Sequence, residues 1–206
     1  MIPRLFCFVI GSFCLAACQQ HEAGSSIKKK KTGDTKLIYV QPFQGISISQ
    51  TQYFFSELKK VYPFIELKSP VELPESAYHP ARNRYRADSL ISFLRDHTAA
   101  GCKTVGLTNK DISTTKNGIA DWGGMGLGFC PGTACVASAF RLSRSATGRQ
   151  LFKVAIHELG HTFGLPHCSK TFCFMRDAEG KNPTDEEKSF CTDCKAVLLK
   201  QGWNLG

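Results

Sequence analysis

The chain has 206 residues, 42% of them hydrophobic and 21% charged, with a formal net charge of +9. That hydrophobic share belongs to a globular chain and excludes a wholly disordered one. The basic surplus includes Lys28-Lys29-Lys30-Lys31, but no aromatic interleaving or recognised nucleic-acid motif accompanies it, so no nucleic acid is expected as a partner.

Arg4 gives a positive start, and residues 5–17 are almost wholly apolar. This stretch is too short to span a bilayer comfortably and suits the core of a signal peptide. It ends Leu15-Ala16-Ala17-Cys18, which resembles a bacterial lipobox. The expectation is a lipoprotein signal over 1–17, cut before Cys18, with lipid on that cysteine; a plain secretory signal and an uncleaved anchor are the alternatives. Residues 18–35 read as a polar, lysine-rich tether. The protein is therefore expected in a bacterial cell envelope, lipid-anchored to a membrane through Cys18, as a periplasmic or outer-membrane lipoprotein.

The remainder, 36–206, is long enough for one domain with a sizeable core. Residues 36–40 read as a strand. Residues 52–62 read as a helix stopped by Pro63, and 64–67 as a second strand. Three prolines in 70–80 predict an irregular connection. Residues 86–97 read as a helix with Leu90, Ile91 and Leu94 on its apolar face, followed by a strand at 104–107. The glycine-rich stretch 118–131 lacks the terminal Gly-Lys-Ser/Thr of a phosphate-binding loop. A strand at 134–142, a long helix at 149–163 and a final helix at 186–200 complete a mixed α/β (α+β) domain. Trp122 and Trp203 read as packing residues.

Within the long helix lies His157-Glu158-Leu159-Gly160-His161-Thr162-Phe163-Gly164-Leu165-Pro166-His167, the pattern HExxHxxGxxH. Histidines four apart on a helix project from one face and can grip one metal ion. Gly164 can end the helix in the left-handed conformation, and Pro166 opposes a restart, so the chain can swing back and offer His167 as a third ligand. Three neutral imidazoles leave a fourth zinc position open for water. Glu158 adjoins the first ligand and is the natural base for that water.

Cys168, Cys173, Cys191 and Cys194 form two short-spaced pairs that suit a closed, structural zinc site; a redox CxxC is the alternative for the second pair. Met175 is a candidate floor under the catalytic metal or simple core filler. Cys130 and Cys135 are either a small disulfide loop or free cysteines.

A histidine as third ligand after a glycine turn points to a metzincin. The direct junction of His167 to Cys168, then Cys173, Met175 and the Cys191–Cys194 pair, resembles the archaemetzincin family of zinc metallopeptidases. So do 121–130 and 136–142. The resemblance covers roughly 36 to the C-terminus. It implies a metzincin-type zincin fold, with a twisted mixed sheet, an active-site helix and a small C-terminal subdomain at about 165–206. It further implies two zinc ions per chain, a peptide or protein substrate, Met175 as the Met-turn and, in 118–131, an edge strand above the cleft. A monomer is expected. The rival reading is a non-catalytic zinc-binding or interaction lipoprotein; a zinc hydrolase of non-peptide substrates is a further one.

Overall fold

A computed structural model describes residues 36–206. The expected signal peptide, Cys18 and the tether lie outside these residues.

Nine strands and four α-helices follow in chain order. They are β1 (Ile38–Pro42), α1 (Ile48–Val61), β2 (Ile65–Leu67), β3 (Tyr78–His79), β4 (Arg84–Arg86), α2 (Ala87–Asp96), β5 (Lys103–Thr108), β6 (Ile112–Lys116), β7 (Ile119–Gly124), β8 (Gly126–Gly128), β9 (Ala134–Ser138), α3 (Thr147–Thr162) and α4 (Thr192–Leu199). The mixed α/β class is as expected. The main sheet has the order β2-β1-β5-β9-β8, parallel except for β8, which runs antiparallel to β9 at the edge.

Period-two alternation of the strands divides the core between the two faces of this sheet. Ile38, Val40, Val105, Leu107, Cys135 and Ala137 point to the face covered by α1 and α3. Ala134 and Val136 point to the other face, where α2 buries Leu90, Ile91 and Leu94 as its sequence predicts. Both faces are covered, so β5 and β9 are buried along their whole length rather than alternating with solvent-facing residues. Tyr62, Phe163, Phe190 and Trp203 meet edge-on beneath α3, which ties the C-terminal segment to the same core. Trp203 is the packing residue expected; Trp122 instead lines the open cleft.

Several elements differ from expectation. Helix α1 starts four residues early, because the extended Ser47 ends the preceding loop and its carbonyl accepts the Thr51 N–H at 3.0 Å. The connection 70–80 contains an isolated Phe43–Val71 bridge and strand β3. A second sheet, β3-β4-β6-β7, was not anticipated. Its β6–β7 hairpin turns on Asn117 and Gly118, both with positive φ, as a two-residue hairpin turn requires. The strand expected over 134–142 ends at Ser138, whose hydroxyl donates to the Lys110 carbonyl and accepts the Phe140 N–H. The final helix begins only at Thr192. A turn over 184–186 closes on the Pro183 carbonyl, and the residues after it are kept out of a helix by a Cys173–Ser189 bridge and by Lys153, which donates to the Glu187 carbonyl.

Candidate metal centre and active-site cleft

The long helix α3 carries His157, Glu158 and His161 and stops as the motif suggests. Gly164 has φ +90°. Its N–H donates to the His161 carbonyl at 2.8 Å, and the Leu165 N–H donates to the Gly160 carbonyl at 3.1 Å. This bond pair satisfies the orphan carbonyls of the last turn and reverses the chain. Lys103, buried on β5, donates to the Thr162 and Gly132 carbonyls at 2.6 Å each, placing an ammonium at the negative end of the helix. Burial, then the charge of Lys36, brings Lys103 down to about 8.

The reversal brings His167 back over the helix. One ring nitrogen from each of His157, His161 and His167 lies within 4.8 Å of the others. His157 Nε2 and His161 Nε2 are 3.0 Å apart. Their Nδ1 atoms are engaged with carbonyls: His157 with Phe174 at 2.6 Å, His161 with Leu165 at 2.7 Å. Asp177 Oδ2 stands 3.3 Å from His167 Nδ1. Each ring therefore has its Nδ1 oriented and its Nε2 available, the arrangement that orients metal-binding histidines. Burial, followed by the neighbouring His161, drives His157 down to about 3, and burial also lowers His161. Both are neutral at physiological pH, as ligands must be.

Met175 lies under this site, fully buried. Its thioether sits directly against Gly160, where a Cβ would overlap the sulfur. Its carbonyl accepts the Cys168 N–H at 2.7 Å, and its neighbour Phe174 supplies the carbonyl that holds His157. The same segment thus ties the helix, the first histidine and the first cysteine together.

The four cysteines also converge, with their sulfurs within 4.8 Å of one another. Cys168 Sγ and Cys191 Sγ are 3.8 Å apart, and Cys173 Sγ and Cys194 Sγ 3.9 Å. A tetrahedral zinc with bonds of about 2.3 Å puts its sulfurs about 3.8 Å apart, whereas a disulfide needs about 2.05 Å. These separations fit a metal site, and Cys191 and Cys194 are free thiols rather than a disulfide. Cys173 Sγ accepts N–H groups from Met175 and Cys191, as a thiolate would. Burial raises Cys191, but the Cys194 N–H and the surrounding thiols outweigh it and bring it to about 7. Burial pushes Cys173 and Cys194 up, so the thiols do not ionise together without a cation. Cys191 is the N-cap residue of α4 rather than part of the helix. Cys130 and Cys135 are free: Cys135 faces the core, and Cys130 Sγ contacts the Leu165 carbonyl at 3.4 Å.

A cleft of about 540 Å³ runs past the histidines. Strand β8 forms one wall and comes so close that a Cβ on Gly126 would lie 2.5 Å from Glu158 Oε1. Glu158 is buried, and burial pushes its carboxyl up to about 8. On the opposite side Asp177, Lys153 and Glu187 line the cleft. None of these three was singled out in the sequence. Asp177 lies two residues beyond Met175, but no spacing rule marks it, and the others are ordinary charged residues until the chain folds.

Residues 57–200 match the description of peptidase family M54. The chain belongs to that family. It is 30% identical over 158 residues to archaemetzincin of Halobacterium salinarum, covering 70% of this chain and 88% of the relative. It is 33% identical over 142 residues to archaemetzincin of Methanopyrus kandleri, covering 66% and 79%. The crystal structure of the Methanopyrus kandleri archaemetzincin superposes with a TM-score of 0.69 at 26% identity, covering 82% of this chain and 97% of that one. The Archaeoglobus fulgidus archaemetzincin, complexed with malonate, gives a TM-score of 0.67 at 25% identity, covering 78% and 98%. The archaemetzincin resemblance and its mixed α/β fold are borne out, and the M54 protein is a zinc metallopeptidase.

Proposed function

We propose that this M54 protein hydrolyses peptide bonds at the three-histidine site with Glu158 as general base, and that Cys168, Cys173, Cys191 and Cys194 hold a second, structural zinc. The observation that carries the first part is the joint geometry of three imidazoles, each with Nδ1 engaged, beside a buried carboxyl. His157, His161 and His167 would hold the catalytic ion. When bound, zinc supplies a Lewis acid for the scissile carbonyl and lowers the pKa of water.

The protein's own residues do the rest. An extended substrate can add to the free edge of β8 by backbone pairing, which aligns it across the cleft. Glu158 accepts the proton of the attacking water and returns it to the leaving amine. Burial favours its protonated form and a neighbouring cation its carboxylate; together they keep both forms accessible near neutral pH. Asp177 and the Phe174 and Leu165 carbonyls fix the three rings. Met175 supports the base of the site through Gly160.

The N-terminal sequence supports a lipid anchor on Cys18 in a bacterial envelope, with residues 18–35 as a tether reaching roughly 20 Å if flexible. The mass of the N-terminal peptide of membrane-extracted protein reads that modification directly.

Hydrolysis of a broad peptide mixture tests the function. Cleavage is expected, lost on chelation and restored by zinc; a zinc-loaded chain that cleaves none of the peptides would sink the reading.

A further inference from the structure

Next to the catalytic histidines the cleft contains a charge that the proposed reaction does not use. Glu187 is only 4% exposed, yet it lines the cleft. Its side chain forms no hydrogen bond or ion pair among the described residues. The sealed and unpartnered polar atoms there are Asn109 Oδ1, Ser113 Oγ, Asp121 Oδ1 and Trp203 Nε1. The Glu187 oxygens are not among them, so the carboxyl keeps some accessible area on a residue that lines the cleft. A buried carboxyl facing a binding cleft without a partner has an unmet capacity for donors.

Three neighbouring cations already have hydrogen-bond partners. Lys153 Nζ donates to the Thr184 carbonyl at 2.5 Å and to the Glu187 carbonyl at 2.6 Å. Arg176 Nη1 donates to Glu186 Oε2 at 2.6 Å. Across the cleft, Arg141 is held in two bonds by Asp111. The Glu187 carboxyl is left without a donor, although the Lys153 charge acts on it and Lys181 also lines the cleft. Lys153 lies four residues before His157 on α3, about 6 Å along the axis. Lys153 holds the Glu187 backbone through its carbonyl, and Glu187 lines the same cleft as His157, His161 and His167.

We propose that Glu187 is the specificity-determining residue of this cleft and selects peptides with lysine or arginine next to the scissile bond. The inference rests on the peptidase reading and names its substrate class. A long cationic side chain would lay its methylenes along Val154 and donate to the Glu187 carboxylate. A charge-assisted bond in a nearly enclosed site is stronger than a neutral one. Burial pushes the empty site's carboxyl up to about 7, against the pull of Lys153 and Arg176, and an entering ammonium or guanidinium favours its ionised form.

The test uses the zinc-loaded full chain and peptides identical except for lysine, arginine, norleucine or glutamate on either side of the cleaved bond. The wild type is expected to favour lysine or arginine over norleucine by about tenfold or more in kcat/KM at one of these positions. Glu187→Gln brings that ratio towards one, chiefly through KM, whereas Glu187→Asp, which keeps the charge, retains part of it. Inhibition of the wild type by product peptides repeats the comparison without any substitution: lysine products bind more tightly than norleucine ones. No preference for a basic residue at either position, or equal behaviour of the Gln and Asp variants, overturns the proposal alone. Failure to cleave every peptide overturns the peptidase reading and this inference with it.

Discussion

Gly160→Ala sets two ordinary effects against each other at one atom. In a helix interior, alanine is favoured over glycine by about 1 kcal/mol, so the substitution should stabilise if nothing stands in its way. Here something does. The new Cβ would fall well under the 3.0 Å that real Cβ contacts respect at Met175 Sδ, and 3.2 Å from its Cε. Met175 is fully buried and has to retreat by roughly an ångström to reach ordinary contact. Overpacking of this kind costs about 1–3 kcal/mol, so the net change is a loss of roughly 0–2 kcal/mol. The catalytic loss is larger. Retreat of Met175 moves Phe174, whose carbonyl orients His157, and misplacement by about 1 Å costs on the order of a hundredfold in rate. Urea unfolding of the zinc-loaded protein and kcat/KM on one cleaved peptide measure the two effects. In a Met175→Ala background, Leu165 at 3.5 Å is the remaining close neighbour, and Gly160→Ala there recovers its gain of up to about 1 kcal/mol. A Gly160→Ala protein that is more stable than wild type and equally active would refute the account of Met175 as a support for the site.

Three further outcomes follow from the structure. Gly126→Ala places a Cβ 2.5 Å from Oε1 and 2.7 Å from Cγ of the buried Glu158, so the carboxyl must shift and kcat/KM should fall by about tenfold or more; an unchanged kcat/KM would contradict the placement of Glu158 against β8. Cys194→Ser should lower bound zinc from two ions per chain to one and cost several kcal/mol in chemical unfolding, since structural zinc contributes on the order of 10 kcal/mol in small domains; an unchanged metal count rules out the four-cysteine site. Burial raises Glu187 from 4.5 to about 7, so its neutral form stabilises the fold fully below pH 4.5, and that contribution is lost as pH rises through 7. The stability of wild type relative to Glu187→Gln should therefore fall by on the order of 3 kcal/mol across that window. Parallel curves for the two proteins would show that the carboxyl is not buried.

The candidate metal centre was legible because its proposed ligands obey local spacing. Two histidines four apart share a helix face whatever surrounds them, and Gly164 with Pro166 announces the reversal that returns His167. The cysteine pairs were legible for the same reason, and the structure brings all four sulfurs together. The second sheet was hidden by composition. Residues 118–131 read as one glycine-rich stretch, and that reading obscured Asn117-Gly118, a strong hairpin signal in its own right. The start of α4 was misplaced because residues 186–190 show no break in the sequence; a turn closed on Pro183 and contacts with Cys173 and Lys153, distant in sequence, keep them out of a helix. Asp177, Glu187 and the approach of β8 to Glu158 were invisible for a related reason. Each depends on a contact that only the folded chain creates.

The most direct test of the central claim is peptide hydrolysis by wild type and Glu158→Ala, with zinc content measured on both. The substitution removes no proposed ligand, so both proteins should carry the same two zinc ions per chain. The variant should lose hydrolysis by at least about a hundredfold, the scale of general-base catalysis. Equal zinc with unchanged turnover would contradict Glu158 as the base.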